Sequence, residues 1–79
     1  MQIQIKYFGL LEEFTGKEEE IMEIPKGILL NELILILEER YPGLSNQYAR
    51  IAVDGAIVSE NLSLQQEHLL AIMPPFAGG

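Results

Sequence analysis

The residues best suited to chemistry lie at the carboxyl end of the chain, which reads Pro74, Pro75, Phe76, Ala77, Gly78 and Gly79. Prolines cannot donate a ladder hydrogen bond, so a strand must end before them, and two in succession stiffen the exit. The two glycines bring no side chains, and the extended tail could reach roughly 20 Å. A frayed end is the alternative, and a diglycine alone would favour it. Because Pro-Pro precedes the diglycine after a final strand, we interpret the segment as a slim tail that carries a reactive carboxylate into a narrow active site.

Few other residues could do chemistry. The sequence has no Cys and a single His. Since nothing accompanies His68 as a second ligand or base, we expect an ordinary surface or edge residue. Glu18, Glu19 and Glu20 are more typical of a solvated acidic face than of a metal site, because neighbouring strand residues point to opposite sides. We therefore predict no metal site. No nucleophile–base pair or phosphate-binding glycine loop is visible, which makes a self-sufficient enzyme the least favoured class.

Length and charge narrow the remaining classes. The chain has 79 residues and a formal charge of −7, with 48% hydrophobic and 22% charged residues, which is typical of one small globular domain. The acidic balance argues against a nucleic-acid partner, which attracts clustered Lys and Arg. The apolar stretches are shorter than the roughly 20 residues that a membrane span needs, and no basic start precedes an apolar run. We expect a soluble, cytoplasmic domain without a membrane or nucleic-acid partner.

Hydrophobic periodicity predicts the elements that would position the tail. Alternation predicts strands over 1–8, 21–24, 50–53, 56–58 and 68–73, with a type I′ hairpin turn at Asp54-Gly55. A helical turn over 10–14 and one long helix over 28–41, which Pro42-Gly43 would end, complete the pattern. The order predicts an α+β fold with a mixed sheet of about five strands and one main helix across one face. Residues 1–73 would form the domain and 74–79 the tail.

A partner surface can also be proposed from the pattern. Phe8 lies on the polar face of the first strand, and both faces of the last strand are apolar, which predicts a central strand whose helix-free side is also covered. One explanation is burial under the loop 59–67. The other is a partner interface formed by Phe8, the last strand with Leu70 and Ile72, and Phe76. An acidic rim around such a patch would steer a basic partner surface.

Taken together, the sequence resembles the ubiquitin-like sulfur-carrier family over its whole length. The resemblance rests on Tyr7-Phe8, Leu33 and Leu37, Tyr41-Pro42, Ile51-Ala52-Val53 with Gly55, and above all the six tail residues 74–79. The prolines before the diglycine point to the branch of molybdopterin synthase small subunits more than to the thiamine branch. The resemblance implies a β-grasp, ubiquitin-like fold.

The resemblance also implies a mechanism and its partners. An E1-like adenylyltransferase would use ATP to adenylate the terminal carboxylate of Gly79, and a sulfur donor would convert it to a thiocarboxylate. The tail would then enter the large subunit of molybdopterin synthase and give its sulfur to a pterin precursor. The catalytic residues would belong to those partners, and the chain would bind no cofactor of its own. Two alternatives stay open: a carrier for thiamine or another thio-metabolite, and a ubiquitin-like interaction module whose diglycine is never activated.

Overall fold

A computed structural model of the chain describes residues 1–48 and 50–75, which build a five-stranded mixed sheet with one long helix across one face. The elements are β1 (Gln2–Tyr7), α1 (Leu10–Thr15), β2 (Glu19–Glu23), α2 (Leu30–Arg40), a 3-10 turn (Leu44–Asn46), β3 (Arg50–Val53), β4 (Ala56–Val58) and β5 (Leu69–Met73). The predicted order of elements and the predicted β-grasp fold are confirmed.

Strand β5 lies at the centre of the sheet, as its two apolar faces predict. The strand order is β2-β1-β5-β3-β4. β5 pairs in parallel with β1, and the other three neighbouring pairs are antiparallel. A parallel pair needs a long crossover, and α2 lies in the connection between β1 and β5. The last strand is thus held on both sides, which fixes the point from which the tail leaves the domain.

The core lies between α2 and one face of the sheet. Leu33 and Leu37 of α2 have no exposed surface and form one apolar stripe along the helix. The sheet contributes alternate residues to the same cluster, namely Ile3, Ile5, Tyr7, Met22, Ile51, Val53, Leu70 and Ile72. No helix among the described residues is long and apolar enough to span a membrane.

Helix α2 begins at Leu30, two residues later than the sequence predicts, and its N-cap is Leu29. The reason is a competing ladder with the loop that precedes β5. The N–H of Leu64 donates to the Ile28 carbonyl at 2.8 Å, and the N–H of Leu30 donates to the Leu62 carbonyl at 2.8 Å. Leu29, with φ of −79° and ψ of 149°, is therefore extended, because the backbone groups on either side of it bond to the loop instead of to a first helical turn.

The hairpin turn between β3 and β4 has the predicted conformation, with φ of 51° at Asp54 and 87° at Gly55. The Asp54 carboxylate accepts a hydrogen bond from the N–H of Leu69 at 2.9 Å and lies 2.7 Å from Nδ1 of His68. The Leu69 N–H, followed by the His68 ring, holds the pKa of Asp54 below its usual range. His68 thus joins this turn to the start of β5.

The two edge strands differ in how they end the sheet. β2 carries Glu19 and Glu23, both exposed, and β4 is only three residues long. Val53 faces Ala56 across the two-residue turn, so the N–H and C=O groups of Ile57 point away from β3. The β4 edge therefore offers a further strand the backbone groups of Ile57, and exposed carboxylates flank the free backbone groups of the β2 edge.

Candidate functional site

The root of the tail lies at the end of β5, beside the end of β1. Met73 is the last strand residue, and Pro74 is half-buried whereas Pro75 is exposed. The N–H of Phe8 donates to the Ile72 carbonyl at 3.1 Å, so the pairing of β1 with β5 continues to within two residues of Pro74. The predicted tail residues Phe76, Ala77, Gly78 and Gly79 lie outside the described residues.

One face of the sheet has no helix across it, and we call it the open face. Phe8 is 46% exposed and Leu69 is 37% exposed. The register sets Ala71 beside Ala52, and Ala52 beside Ile57. We define the open-face patch as Phe8, Ala52, Ile57, Leu69, Ala71 and Met73. An apolar surface of this kind, next to the root of the tail, suits contact with a partner protein.

The loop 59–67 does not cover this patch. Its Leu64 is buried, and its backbone pairs with segment 27–30 at the start of α2. Phe8 is exposed, so its burial under this loop, one of the two explanations offered by the sequence, is wrong.

The structure corrects the assignment of Leu70 and Ile72 to the partner interface. Both side chains have 0% exposure and face α2 in the core. The parallel register with β1 sets Leu70 beside Ile5 and Ile72 beside Tyr7, two residues that also face the helix. The alternate residues of β5, which point to the open face, take their place in the patch.

Charged side chains border the apolar patch on the open face. Lys6 lies beside Ala71, and Arg50 lies beside Met73, near the root of the tail. On its other side Lys6 has Glu19 of β2, whereas Glu23 lies beside Gln2 at the far end of the sheet. Among the residues the structure describes, neither Lys6 nor Arg50 forms an ion pair. The end of the face nearest the tail thus carries two cations next to Glu19, although the whole chain is acidic.

A polar cluster around Glu20 was not predicted. The Glu20 carboxylate accepts hydrogen bonds from the hydroxyls of Tyr7 and Tyr41, each at 2.6 Å, and from the guanidinium of Arg40 at 2.8 Å. The Nζ of Lys17 lies 3.6 Å from it. The expectation of a solvated face is therefore wrong for Glu20, whose side chain is 8% exposed. Strand alternation could have shown this, because Glu20 lies opposite Ile5 and so points toward α2.

The cluster changes the acid–base properties of its members. Burial acts to raise the pKa of Glu20, but the hydroxyls of Tyr41 and Tyr7 and the charge of Lys17 outweigh it and hold that pKa below its usual range. Burial, then the bond to Glu20, raises the pKa of Tyr7. The rings of Tyr7 and Tyr41 pack edge to face, with their centroids 5.9 Å apart. The cluster ties β1, β2 and α2 together. Within residues 1–48 and 50–75, no three His, Asp or Glu side chains could hold a metal ion.

Comparison with known proteins identifies the family. The family model described as "ThiS family" matches residues 5–79. The molybdopterin synthase sulfur carrier subunit of Caenorhabditis briggsae is 30% identical, over 100% of this chain and 99% of its own. The protein of that name from Homo sapiens is 32% identical, over 99% of this chain and 94% of its own.

Solved structures agree with this result. A putative molybdopterin converting factor subunit 1 from Pyrococcus furiosus is 26% identical, with a TM-score of 0.82 over 96% of this chain and 99% of that one. A complex of subunits 1 and 2 of the molybdopterin-converting factor from Helicobacter pylori contains a chain of the same fold, at 24% identity and a TM-score of 0.72 over 100% of both chains. The family model matches the chain from β1 through the diglycine, and two relatives that share one name match it over their full length. This chain therefore belongs to the ThiS family.

Proposed function

We propose that this chain is the sulfur carrier subunit of a molybdopterin synthase. The observation that carries the proposal is the match over the whole chain to two proteins of that name, together with a family match that extends to Gly79. In this function the reactive group is the terminal carboxylate, and the folded domain delivers it. The chain is a co-substrate and a non-catalytic subunit, because the residues that act on the carboxylate belong to its partners.

Activation begins at the carboxylate of Gly79, which is a poor electrophile. An E1-like adenylyltransferase binds ATP, and a carboxylate oxygen attacks the α-phosphorus, so that pyrophosphate leaves and an acyl-adenylate forms. AMP is then a good leaving group. The chain itself holds no nucleotide in this scheme, and the partner supplies the ATP site.

Sulfur enters when a donor attacks the acyl carbon. The terminal sulfur of a persulfide displaces AMP and forms an acyl disulfide. A second thiol of the donor then attacks the S–S bond, which leaves a thiocarboxylate on Gly79 and a disulfide on the donor. The thiocarboxylate sulfur next attacks a carbon of the pterin precursor in the large subunit and displaces an oxygen leaving group, which gives a thioester between carrier and pterin. Water then hydrolyses this thioester, so that the sulfur stays on the pterin and the carboxylate of Gly79 is restored. Holding the reactants together accounts for much of the rate.

The open-face patch provides the surface through which the domain docks on these partners. Phe8 and Leu69 are exposed apolar residues beside the strand end that leads to the tail. The complex of subunits 1 and 2 from Helicobacter pylori supports a large-subunit partner for a chain of this fold. A partner seated on the open face lies next to Pro74, so one binding event places the domain and aims its tail.

The test uses two changes in the tail, deletion of Gly79 and Gly78→Val. A Cβ and two methyl groups at Gly78 widen the chain and remove its backbone freedom, and a misplacement of about 1 Å can cost on the order of 10²-fold in rate. We expect both variants to lose thiocarboxylate formation or transfer, with little change in Tm. Intact mass after incubation with the activating enzyme, ATP and a sulfur source detects the exchange of one oxygen for sulfur, and thermal melts provide the control.

The same assay separates the alternatives. Wild-type chain that gains sulfur but does not pass it to a molybdopterin synthase large subunit serves another thio-metabolite such as thiamine. Wild-type chain that is never adenylated is an interaction module. Normal thiocarboxylation and transfer by Gly78→Val would show that the tail does not enter a narrow site.

A further inference from the structure

We propose that Gly9 is a positioning residue that seats the ring of Pro74 and thereby sets the direction in which the tail leaves the sheet. The inference rests on the proposed function, since the direction of the tail matters only if the tail delivers a reactive carboxylate. It assigns a role to a glycine that lies outside both the tail and the open-face patch.

The first observation is a close contact. A Cβ added to Gly9 would lie 3.1 Å from Cγ of Pro74 and 3.8 Å from its Cδ. The first distance is well inside the 3.5–4.0 Å at which two carbon atoms attract. Because the Pro74 ring is closed onto its own backbone nitrogen, it cannot rotate away as a flexible side chain would. A Cβ at position 9 therefore requires the Pro74 ring to give by a few tenths of an ångström, through its pucker or through the backbone at the root of the tail.

The second observation is that both sides of this contact are anchored. Gly9 has φ of 56° and ψ of −129°, a conformation that L residues rarely adopt. Its carbonyl accepts from the N–H of Glu12, and the N–H of Phe8 just before it donates to the carbonyl of Ile72, both at 3.1 Å. Pro74 follows Ile72 by two residues. The sharp bend after β1 and the exit from β5 are thus built on the same pair of strand ends.

The contact between Gly9 and Pro74 matters because the reactive carboxylate of Gly79 lies several residues beyond it. Five residues separate Pro74 from the carboxylate of Gly79, a reach of roughly 17 Å when extended. Two successive prolines pass on the direction set at the root. A displacement of Pro74 therefore changes where the rest of the tail begins its path, and a misplacement of the reacting group by about 1 Å can cost on the order of 10²-fold in rate.

Another glycine offers a matched control. Gly16 also has positive φ, at 77°, but a Cβ added there meets nothing within 4 Å. Gly16→Ala places an alanine in left-handed backbone, at φ 77° and ψ 13°, whereas Gly9→Ala places it at φ 56° and ψ −129°, which L residues adopt less readily, and also against Pro74. Gly16→Ala therefore controls for a positive φ, and the Pro74 variants below separate the ring contact from the backbone strain at Gly9.

The experiment measures steady-state thiocarboxylation of the full chain by the activating enzyme, with ATP and a sulfur source, followed by intact mass. We expect Gly9→Ala to lower kcat on the order of tenfold or more with KM within about twofold of wild type, because docking through the open face is retained. Gly16→Ala should stay within about twofold of wild type in both parameters.

A second pair of variants tests the contact without straining Gly9. Pro74→Ala removes the ring atom that meets Gly9, and Pro75→Ala removes an equivalent ring that is exposed. We expect the larger loss of kcat for Pro74→Ala, and we expect Gly9→Ala to add little when Pro74 is already Ala, since both changes remove one contact. The comparison of Pro74→Ala with Pro75→Ala tests the role of the Pro74 ring even if Gly9→Ala does not fold.

Each remaining outcome overturns the inference. Equal losses in Gly9→Ala and Gly16→Ala, or in Pro74→Ala and Pro75→Ala, would mean that the contact sets no direction. An increase in KM alone would mean that Gly9 acts through the docking surface. In those cases the wild-type chain is still thiocarboxylated and the proposed function stands. Wild-type chain that never gains sulfur overturns the proposed function and this inference with it.

Discussion

Glu20 collects two phenol hydroxyls, one guanidinium and one ammonium around a single carboxylate. The bonds from Tyr7 and Tyr41 are short, part-buried and charge-assisted, so they contribute more than the bonds from half-exposed Arg40 and Lys17. Replacing the carboxylate would leave the largely buried Tyr7 hydroxyl without its acceptor. Glu20 therefore links β1, β2 and α2.

The first prediction concerns acid stability. The pKa of Glu20 is lower in the folded than in the unfolded chain, so its contribution is present above the unfolded pKa, near 4.5, and is lost as pH falls through the folded pKa. We expect Glu20→Gln to reduce the free energy of unfolding by about 1–3 kcal/mol at pH 7, and by less near pH 3. Urea titrations at a series of pH values measure this.

Glu18→Gln provides the control, because Glu18 is exposed and its side chain bonds to none of the described residues. Its pH profile should follow that of wild type. Some acid dependence will remain in Glu20→Gln, since hydrogen bonds also hold the pKa of Asp54 and Glu38 below their usual range. An unchanged difference between Glu20→Gln and wild type from pH 7 to pH 3 would contradict the account.

At the scale of strands and helices, local pattern predicts the elements and long-range pairing decides their faces. Alternation located every strand, and Asp54-Gly55 fixed the hairpin, because both depend on neighbours in sequence. β5 is apolar on both sides, so nothing within it tells which residues meet the helix. The register with β1, set across the whole chain, turns Leu70 inward and Leu69 outward. The start of α2 was misplaced for a similar reason, because its competitor, Leu64, is distant in sequence.

A second prediction tests the open face as an element. We expect Phe8→Glu to weaken binding to the molybdopterin synthase large subunit by a few kcal/mol, because it places a charge in a desolvated apolar contact. The fold should change little, since Phe8 is 46% exposed. Leu35→Glu is the comparison variant: Leu35 is 65% exposed and lies on α2, which covers the other face of the sheet from Phe8. Titration calorimetry and thermal melts of both variants compare docking with folding.

Equal weakening by Leu35→Glu would place the partner on the helix side of the molecule. A large fall in the Tm of Phe8→Glu alone would assign Phe8 to the core.

At the scale of the whole molecule, net charge and local charge differ. The chain carries −7, yet Lys6 and Arg50 lie on the open face near the root of the tail. Composition predicted an acidic rim, and only the sheet order could reveal that Lys6 and Arg50 lie near the tail, with Glu19 beside Lys6. The contact between Gly9 and Pro74 was equally invisible, because it joins two ends of the chain that no local pattern connects. The tail itself could be predicted, since its chemistry depends on residue order alone.

The third prediction tests whether net charge or the local charge near the tail governs association with the large subunit. Lys6→Glu and Lys26→Glu each lower the formal charge by two, from −7 to −9. Lys26 follows β2 at the end of the sheet opposite to the tail. If Lys6 and Arg50 meet carboxylates of the large subunit, Lys6→Glu should slow association several-fold more than Lys26→Glu at low salt. The difference between the two association rates should shrink as added salt screens the charges. Stopped-flow association rates measure both. The same slowing in both variants would mean that only net charge steers the encounter.

The edges of the sheet affect how readily the free chain aggregates. A carrier that leaves one partner before it meets the next must expose its apolar docking face in between, and an exposed sheet invites stacking into fibrils. Here β2 presents carboxylates along one margin, and β4 ends the other after three residues. The charges on one margin and the short length of the other both disfavour the addition of a further strand. The molecule can therefore keep an adhesive surface for its partners and still resist self-assembly while it waits for them.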